Sequence, residues 1–286
     1  MKILVLGCNG MAGHLISLYF KERGHEVGGF ARSVSKLLDT TVVGDASNVL
    51  LIKNILDEGM YDAVINCIGL LNQNAEKNKA MAVFLNGYLP HYLVECTRDT
   101  KTRVIHMSTD CVFAGNSGPY YEDSFPDGAT FYDRSKAIGE FSNDKDLTFR
   151  NSIVGPDMKE TGIGLFNWFM QQNSSIKGFT GAIWTGVTTL TLAKAMERAL
   201  VEKLTGLYNL VNNESISKFD LCSLFNKYFR AGEVEINPDD KLQLDKSLYH
   251  RRNDFSYVVP SYEQQIKDMY EWVREHKELY PHYKVI

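Results

Sequence analysis

Lys2-Ile-Leu-Val-Leu6-Gly7-Cys8-Asn9-Gly10-Met11-Ala12-Gly13 is the stretch that decides the fold. Its first five residues include four large apolar ones with no alternation. That pattern marks a strand buried on both faces, as in the middle of a parallel sheet. Three glycines spaced Gly-x-x-Gly-x-x-Gly then end the strand. Beyond them, residues 14–23 carry Leu15, Ile16, Leu18, Tyr19 and Phe20 and stop at Gly24, the pattern of an amphipathic helix with a glycine C-terminus. Residues 27–31 read as a second strand, which completes one βαβ unit. A glycine turn between such a strand and helix directs backbone N–H groups and the helix N-terminus at one spot, suited to a diphosphate. The alternative is a tight turn without a ligand.

The alternation continues, with helices expected at 46–58, 80–98 and 132–142 and strands at 63–69, Arg103–Met107 and 147–151. This is the α/β pattern of a Rossmann-type, doubly wound parallel sheet, whose ligands gather outside the C-terminal strand ends. After Asn151 the alternation breaks. Helices are expected at 165–171 and 189–203, the latter capped by Thr188 or Thr189, and then a mixed α/β portion with elements at 207–211, Lys218–Phe229 and 262–278. The expected division is a dinucleotide-binding domain over 1–155, to which 180–205 returns, and a smaller C-terminal mixed α/β substrate lobe from 156–179 and 206–286.

The 286 residues are 44% hydrophobic and 23% charged, enough for one large or two modest cores. A net charge of −4 without a basic stripe argues against nucleic acid as a partner. No apolar run reaches the roughly 18 residues of a membrane span. The cysteines, five in number, lie far apart and form no Cys-x-x-Cys pair, which points to a reducing cytoplasm. The histidines show no metal-ligand spacing, so no catalytic metal is expected.

Several side chains carry chemistry. The second strand ends Phe30-Ala31-Arg32-Ser33 with no acidic residue at its tip. Arg32 there suits the 2′-phosphate of NADPH over the free hydroxyl of NADH, or is a solvated surface arginine. Tyr132 and Lys136 are four apart and share a helix face. A phenol beside an ammonium is drawn from its usual pKa near 10 towards neutrality, where it can exchange a proton with a carbonyl or alcohol. Upstream, Ser108-Thr109-Asp110-Cys111-Val112-Phe113-Ala114-Gly115 places small hydroxyls at a strand end, able to hold a substrate oxygen. His106, Cys8 and Cys111 read as buried core groups, and Trp168 as a core residue of its helix.

With its glycine turn, strand-end hydroxyls and Tyr-x-x-x-Lys, the chain resembles the extended short-chain dehydrogenase/reductases. Ser108–Gly115, Gly118-Pro-Tyr-Tyr-Glu122 and Tyr132-Asp-Arg-Ser-Lys-Ala-Ile-Gly-Glu140 are similar to the dTDP-4-dehydrorhamnose reductase branch. The likeness is good over residues 1–155 and looser beyond. It implies Thr109, Tyr132 and Lys136 as the catalytic set, Tyr132 protonating a C4 ketone oxygen and Lys136 lowering the phenol's pKa and binding the nicotinamide ribose. Asn86 matches a family asparagine or is a satisfied helix amide. The expected cofactor contacts are Gly7, Asn9, Gly10, Met11, Gly13, Arg32, Ser33, Asp45, Cys67, Ile68, Gly69, Asn86, Ser108, Tyr132 and Lys136. Those for a sugar-nucleotide substrate are Thr109, Asp110, Cys111, Asn151, Trp184, Arg251 and Arg252, with one of the two arginines on its diphosphate.

The same resemblance weighs against neighbouring reactions. Related 4,6-dehydratases carry Thr-Asp-Glu where this chain has Thr109-Asp110-Cys111, and related epimerases show an acidic residue where Arg32 stands. The branch commonly has Tyr at the position of Cys111, and its Ala-Tyr-Thr-x-Val-Asp-x-Ala-Glu segment appears here as Gly69-Leu-Leu-Asn-Gln-Asn-Ala-Glu76. Both departures border the substrate side. The expectation is therefore a cytoplasmic NADPH-dependent reductase of a 4-keto-6-deoxy sugar nucleotide serving cell-surface polysaccharide, with a homodimer as a possible assembly. The alternatives are a non-catalytic dinucleotide-binding regulatory subunit and an epimerase of the same family.

Overall fold

A computed structural model describes residues 1–284. Strands β1 (Lys2–Leu6), β2 (Glu26–Ala31), β3 (Thr40–Val43), β4 (Ala63–Asn66), β5 (Arg103–Met107) and β6 (Leu147–Arg150) form one parallel sheet. The order is β6-β5-β4-β1-β2-β3, so the chain reverses direction of travel beside β1. The decisive strand does lie in the middle and is buried on both faces. Ile3 and Val5 enter the core shared with helix α1 (Met11–Glu22), whereas Leu4 and Leu6 enter the core shared with α2 (Val49–Gly59). β3 carries no signature in the sequence, because Thr40-Thr-Val-Val43 has no buried residue to give it an apolar pattern.

Several boundaries move for identifiable reasons. β4 ends at Asn66 rather than residue 69, because the Asn66 side chain accepts the N–H of Ile68 (3.1 Å) and turns the chain. Helix α2 starts at Val49, where Asn48 caps it through the N–H of Leu51. The helix expected over 80–98 follows a short α3 (Asn72–Lys77) and runs as α4 (Lys79–Ala82), a π-helical turn (Val83–Tyr88) and α5 (Leu89–Thr97). Helix α6 (Phe131–Ile138) stops four residues early at Gly139, where a Cβ would collide with the carbonyl of Asn86.

Beyond β6 come β7 (Ser152–Val154), α7 (Leu165–Met170), β8 (Ile176–Phe179), β9 (Ala182–Trp184), β10 (Gly186–Thr188) and α8 (Thr189–Glu202). Thr188 caps α8 through the N–H of Thr191, and α8 packs on α1. β11 (Gly206–Asn209) pairs in parallel with β6 as the seventh strand of the main sheet. The boundary drawn at 206 therefore falls inside the sheet. Nothing local in residues 206–209 distinguishes an edge strand that returns to the sheet after a long excursion.

The lobe proper contains β12 (Ile216–Ser217), α9 (Lys218–Phe229), β13 (Ile236–Asp239), β14 (Leu244–Asp245) and α10 (Tyr262–Glu275). β13 pairs with β8, and β9 lies between β12 and β14. Phe166, Phe169 and Met170 of α7 point into the core, so Trp168 faces outward, 42% exposed, instead of packing inside as expected. Among the described residues no helix is long and apolar enough to cross a membrane.

Candidate active site

The glycine turn is built for close approach. Gly7 has φ +80°, a left-handed conformation that favours glycine, and a Cβ on Gly13 would collide with the carbonyl of Gly7. Gly10 caps α1 without a side-chain hydrogen bond, and no acidic residue occupies the first turn. The positive end of the helix and its leading N–H groups are thus left to an anion. Asn9 Nδ2 donates to Ser33 O (2.9 Å) and Ser33 Oγ (3.2 Å), tying the turn to the tip of β2. Arg32 is exposed at that tip with no hydrogen bond or salt bridge to another described residue. The nearby Asp45 has its pKa lowered, chiefly by the Ser47 side chain and backbone, with Arg32 contributing least. These features fit a dinucleotide diphosphate and an adenosine 2′-phosphate.

Cys67 and Ile68 follow β4 and wall the turn, since a Cβ on Gly7 would stand 3.1 Å from Ile68 Cγ1 and 3.3 Å from the Cys67 carbonyl carbon. Burial pushes the Cys67 thiol up to about 12. Cys8 pushes it further up and Lys136 pulls the other way. Asn86, fully buried in the π-helical turn, takes the N–H of Leu70 (2.8 Å) and donates to Leu70 O and Ser135 Oγ (both 2.9 Å). The amide is therefore satisfied, and it clamps the loop after β4, including exposed Gly69, to α6.

Helix α6 is held at its start by a capping box between Thr130 and Asp133 and by Glu76, which accepts the N–H of Phe131 (2.6 Å). Lys136 is buried. Its Nζ donates to Met107 O (2.6 Å) and stands 3.5 Å from His106 Nε2, while His106 Nδ1 is 3.2 Å from Asn66 Nδ2. Burial lowers the lysine to about 8, against the raising influence of Glu140 and Cys67. Tyr132 is buried as well, and its phenol is raised, first by burial and next by Cys111, while Thr109 pulls the other way. This corrects the expectation that Lys136 brings the phenol down: the ammonium is committed to a strand-end carbonyl, and burial dominates. The phenol is held in its protonated form, the form a proton donor needs.

Thr109 donates to Asp110 Oδ1 and accepts the N–H of Cys111 (both 3.1 Å). Burial raises both Asp110 and Cys111, the latter to about 12. Ser108 Oγ donates to Glu140 Oε1 (2.6 Å), whose carboxylate also takes Arg150 Nε (2.8 Å) and Nη2 (2.6 Å). This ion pair is 2% and 7% exposed and welds β6 to the end of α6. Spacing gives Glu140, Glu76 and Asn66 no role of their own, although the first two close the motif segments quoted above. Polar residues spaced against an otherwise apolar pattern were the one available signal.

Of the expected substrate residues, Thr109, Asp110, Cys111 and Asn151 gather at the C-terminal ends of β5 and β6. Asn151 Oδ1 is buried there without a partner. Trp184 does not join them: it is buried in the core, its ring centroid 5.7 Å from that of Tyr262. Arg252 does not either. It binds Thr205 O (2.7 Å), Leu207 O (2.9 Å) and Asp254 (Nε–Oδ1 3.0 Å), covering the exposed edge of β11. Arg251 lies over the Tyr121 ring at 3.4 Å, its side chain otherwise free. Among the described residues no group of three or more His, Cys, Asp or Glu could hold a metal.

Parallel-sheet topology, an open glycine cradle at β1 and a buried Tyr-x-x-x-Lys pair beyond the end of β5 define a Rossmann-type oxidoreductase of the extended short-chain kind. Residues 1–248 match the RmlD substrate binding domain, and the chain belongs to that family. It is 27% identical to the probable low-salt glycan biosynthesis reductase of Haloferax volcanii, over 77% of each chain. It is 22% identical to methionine adenosyltransferase 2 subunit beta of Xenopus laevis, over 83% of this chain and 75% of that one. The crystal structure of dTDP-4-dehydrorhamnose reductase from Bacillus anthracis in complex with NADP superposes with a TM-score of 0.78 at 19% identity, covering 95% of this chain and 99% of that one.

Proposed function

We propose that the protein is an NADPH-dependent reductase of the C4 ketone of a 4-keto-6-deoxy sugar nucleotide, supplying a deoxysugar to cell-surface polysaccharide. The observation that carries this reading is that buried Tyr132 and Lys136 share helix α6, whose Lys136 Nζ donates to Met107 O (2.6 Å) at the end of β5, two residues before the buried Thr109. When bound, the reduced nicotinamide supplies the hydride that adds to C4. Tyr132 gives its hydroxyl proton to the ketone oxygen, Thr109 orients that oxygen, and Lys136, through Met107 O, ties the helix that presents Tyr132 to the strand end that presents Thr109. Arg32 takes the 2′-phosphate, and the free Asn151 Oδ1 accepts a donor from the ligand.

The likeness to an adenosyltransferase beta subunit favours one second reading, a dinucleotide-binding regulatory subunit. A chain that only binds needs neither a buried phenol donor nor its supporting lysine. Purified protein with NADPH and dTDP-, UDP- or GDP-linked 4-keto-6-deoxy sugars should oxidise the cofactor with at least one. Tight NADPH binding with no turnover on any of them would decide for the regulatory reading.

A further inference from the structure

Two polar side chains stand in the buried middle of the main sheet. Asn66 of β4 and His106 of β5 are paired directly across the two strands, on the face where Val64, Val104, Leu89 and Leu93 pack together. They are 1% and 0% exposed, so each of their donors and acceptors needs a partner inside the protein. Those partners can be followed atom by atom. Asn66 Oδ1 accepts the N–H of Ile68 (3.1 Å), which leaves Nδ2 as the end turned to His106 Nδ1 (3.2 Å). An amide nitrogen only donates, so Nδ1 is the bare, accepting nitrogen of the ring. Burial, and after it Lys136 and His91, hold the imidazole well below its ordinary pKa, so the ring is neutral and carries one proton. That proton sits on Nε2, the nitrogen 3.5 Å from Lys136 Nζ.

Lys136 Nζ also donates to Met107 O (2.6 Å). A neutral amine has a lone pair to receive the Nε2–H, and every group from the Ile68 N–H to the Met107 carbonyl is then matched. An ammonium has no lone pair. It either meets the Nε2–H with an N–H of its own or forces the ring proton to Nδ1, against the donating Asn66 Nδ2. In both cases one buried contact sets donor against donor. The other titratable groups around the pair are engaged or uncharged. Glu140 is committed to Ser108 and Arg150, His91 Nε2 binds Ile138 O (2.7 Å), and burial keeps the Cys67 thiol and the Tyr132 phenol protonated.

We propose that Asn66 and His106 are positioning residues that set the protonation state of Lys136: the amide fixes the Nε2–H tautomer of the imidazole, and that N–H favours the amine over the ammonium. Burial, which draws the lysine down to about 8, acts in the same direction. The lysine one helical turn from Tyr132 therefore loses its charge close to neutral pH, and this sets the alkaline limit of turnover. That last consequence rests on the reductase reading above, whereas the tautomer and the lysine titration do not.

The test reads both directly by NMR. Long-range proton–nitrogen correlation of histidine-labelled protein reports the His106 tautomer, and the 13Cε shift of Lys136, assigned by its loss in Lys136→Met, reports the lysine titration. Above pH 8 the wild type should show the Nε2–H tautomer. Asn66→Asp keeps an acceptor for the Ile68 N–H but offers another to Nδ1. It should reverse the tautomer, give Nζ a bare nitrogen to donate to, and move the Lys136 titration up by about one pH unit or more, with the alkaline limb of kcat following. An Nδ1–H tautomer in the wild type overturns the inference, and needs no variant to fold. A Lys136 titration unmoved in Asn66→Asp overturns it as well. A titration that moves while the kcat limb stays overturns the link to turnover. A wild type that turns over no sugar nucleotide overturns the reductase reading and leaves the NMR result standing.

Discussion

Replacing Lys136 by methionine should remove a pH dependence built into the buried site. The ammonium is enclosed by Met107, His106 and Cys67, and burial draws it from 10.5 to about 8. The folded state therefore binds its proton less tightly than the unfolded chain. Below pH 8 both states are protonated and the wild type carries the full penalty, roughly 3 kcal/mol at 1.36 kcal/mol per unit. Between pH 8 and 10.5 the folded lysine is neutral while the unfolded one still holds its proton, so stability rises with pH. Cys67 and Cys111 act in the opposite sense. Their thiols are raised from 9.0 to about 12, so their contribution is lost as pH climbs through that range. Taking the difference between variant and wild type cancels them. Urea unfolding at pH 8 and pH 10 should show the advantage of Lys136→Met over wild type shrinking by about 2 kcal/mol. A difference that stays constant across that interval refutes the burial argument for Lys136.

Tyr132→Phe should remove nearly all turnover while NADPH affinity, measured by titration, is kept; an active variant would show that another group donates the proton. Arg32→Ala should weaken NADPH much more than NADH, and equal losses would make Arg32 a solvated surface residue. Glu140→Gln leaves Arg150 as a buried cation without a counter-charge and should cost about 3–5 kcal/mol, a fall of roughly 5 to 8 °C in thermal midpoint. Glu140→Leu with Arg150→Met should recover much of that loss, because the pair is then removed together.

The central sheet and the glycine cradle were legible in the sequence because both are local. A strand apolar on two faces, three glycines and an amphipathic helix need no distant partner to be recognised. Spacing and resemblance point to Thr109, Tyr132 and Lys136, whose roles stand as the proposal above. What escaped depends on tertiary placement. β11 joins the main sheet only because a distant strand, β6, offers its edge. Trp184 looked available and is core, whereas Trp168 looked like core and faces solvent. Arg251 and Arg252 are adjacent in sequence, yet one stacks on Tyr121 and the other is spent on β11 carbonyls. The direction of the Tyr132 shift was misjudged because helical spacing shows that a lysine shares the face but not that its ammonium is already bound to Met107 O.

The most direct measurement follows the hydride. With NADPH deuterated at the transferable position and a 4-keto-6-deoxy sugar nucleotide that the protein turns over, NMR of the product should place one deuterium on C4 of the sugar, with the new hydroxyl proton drawn from solvent. Deuterium at another carbon, or cofactor oxidation that leaves the sugar unlabelled, would contradict C4 ketone reduction as the reaction of this protein.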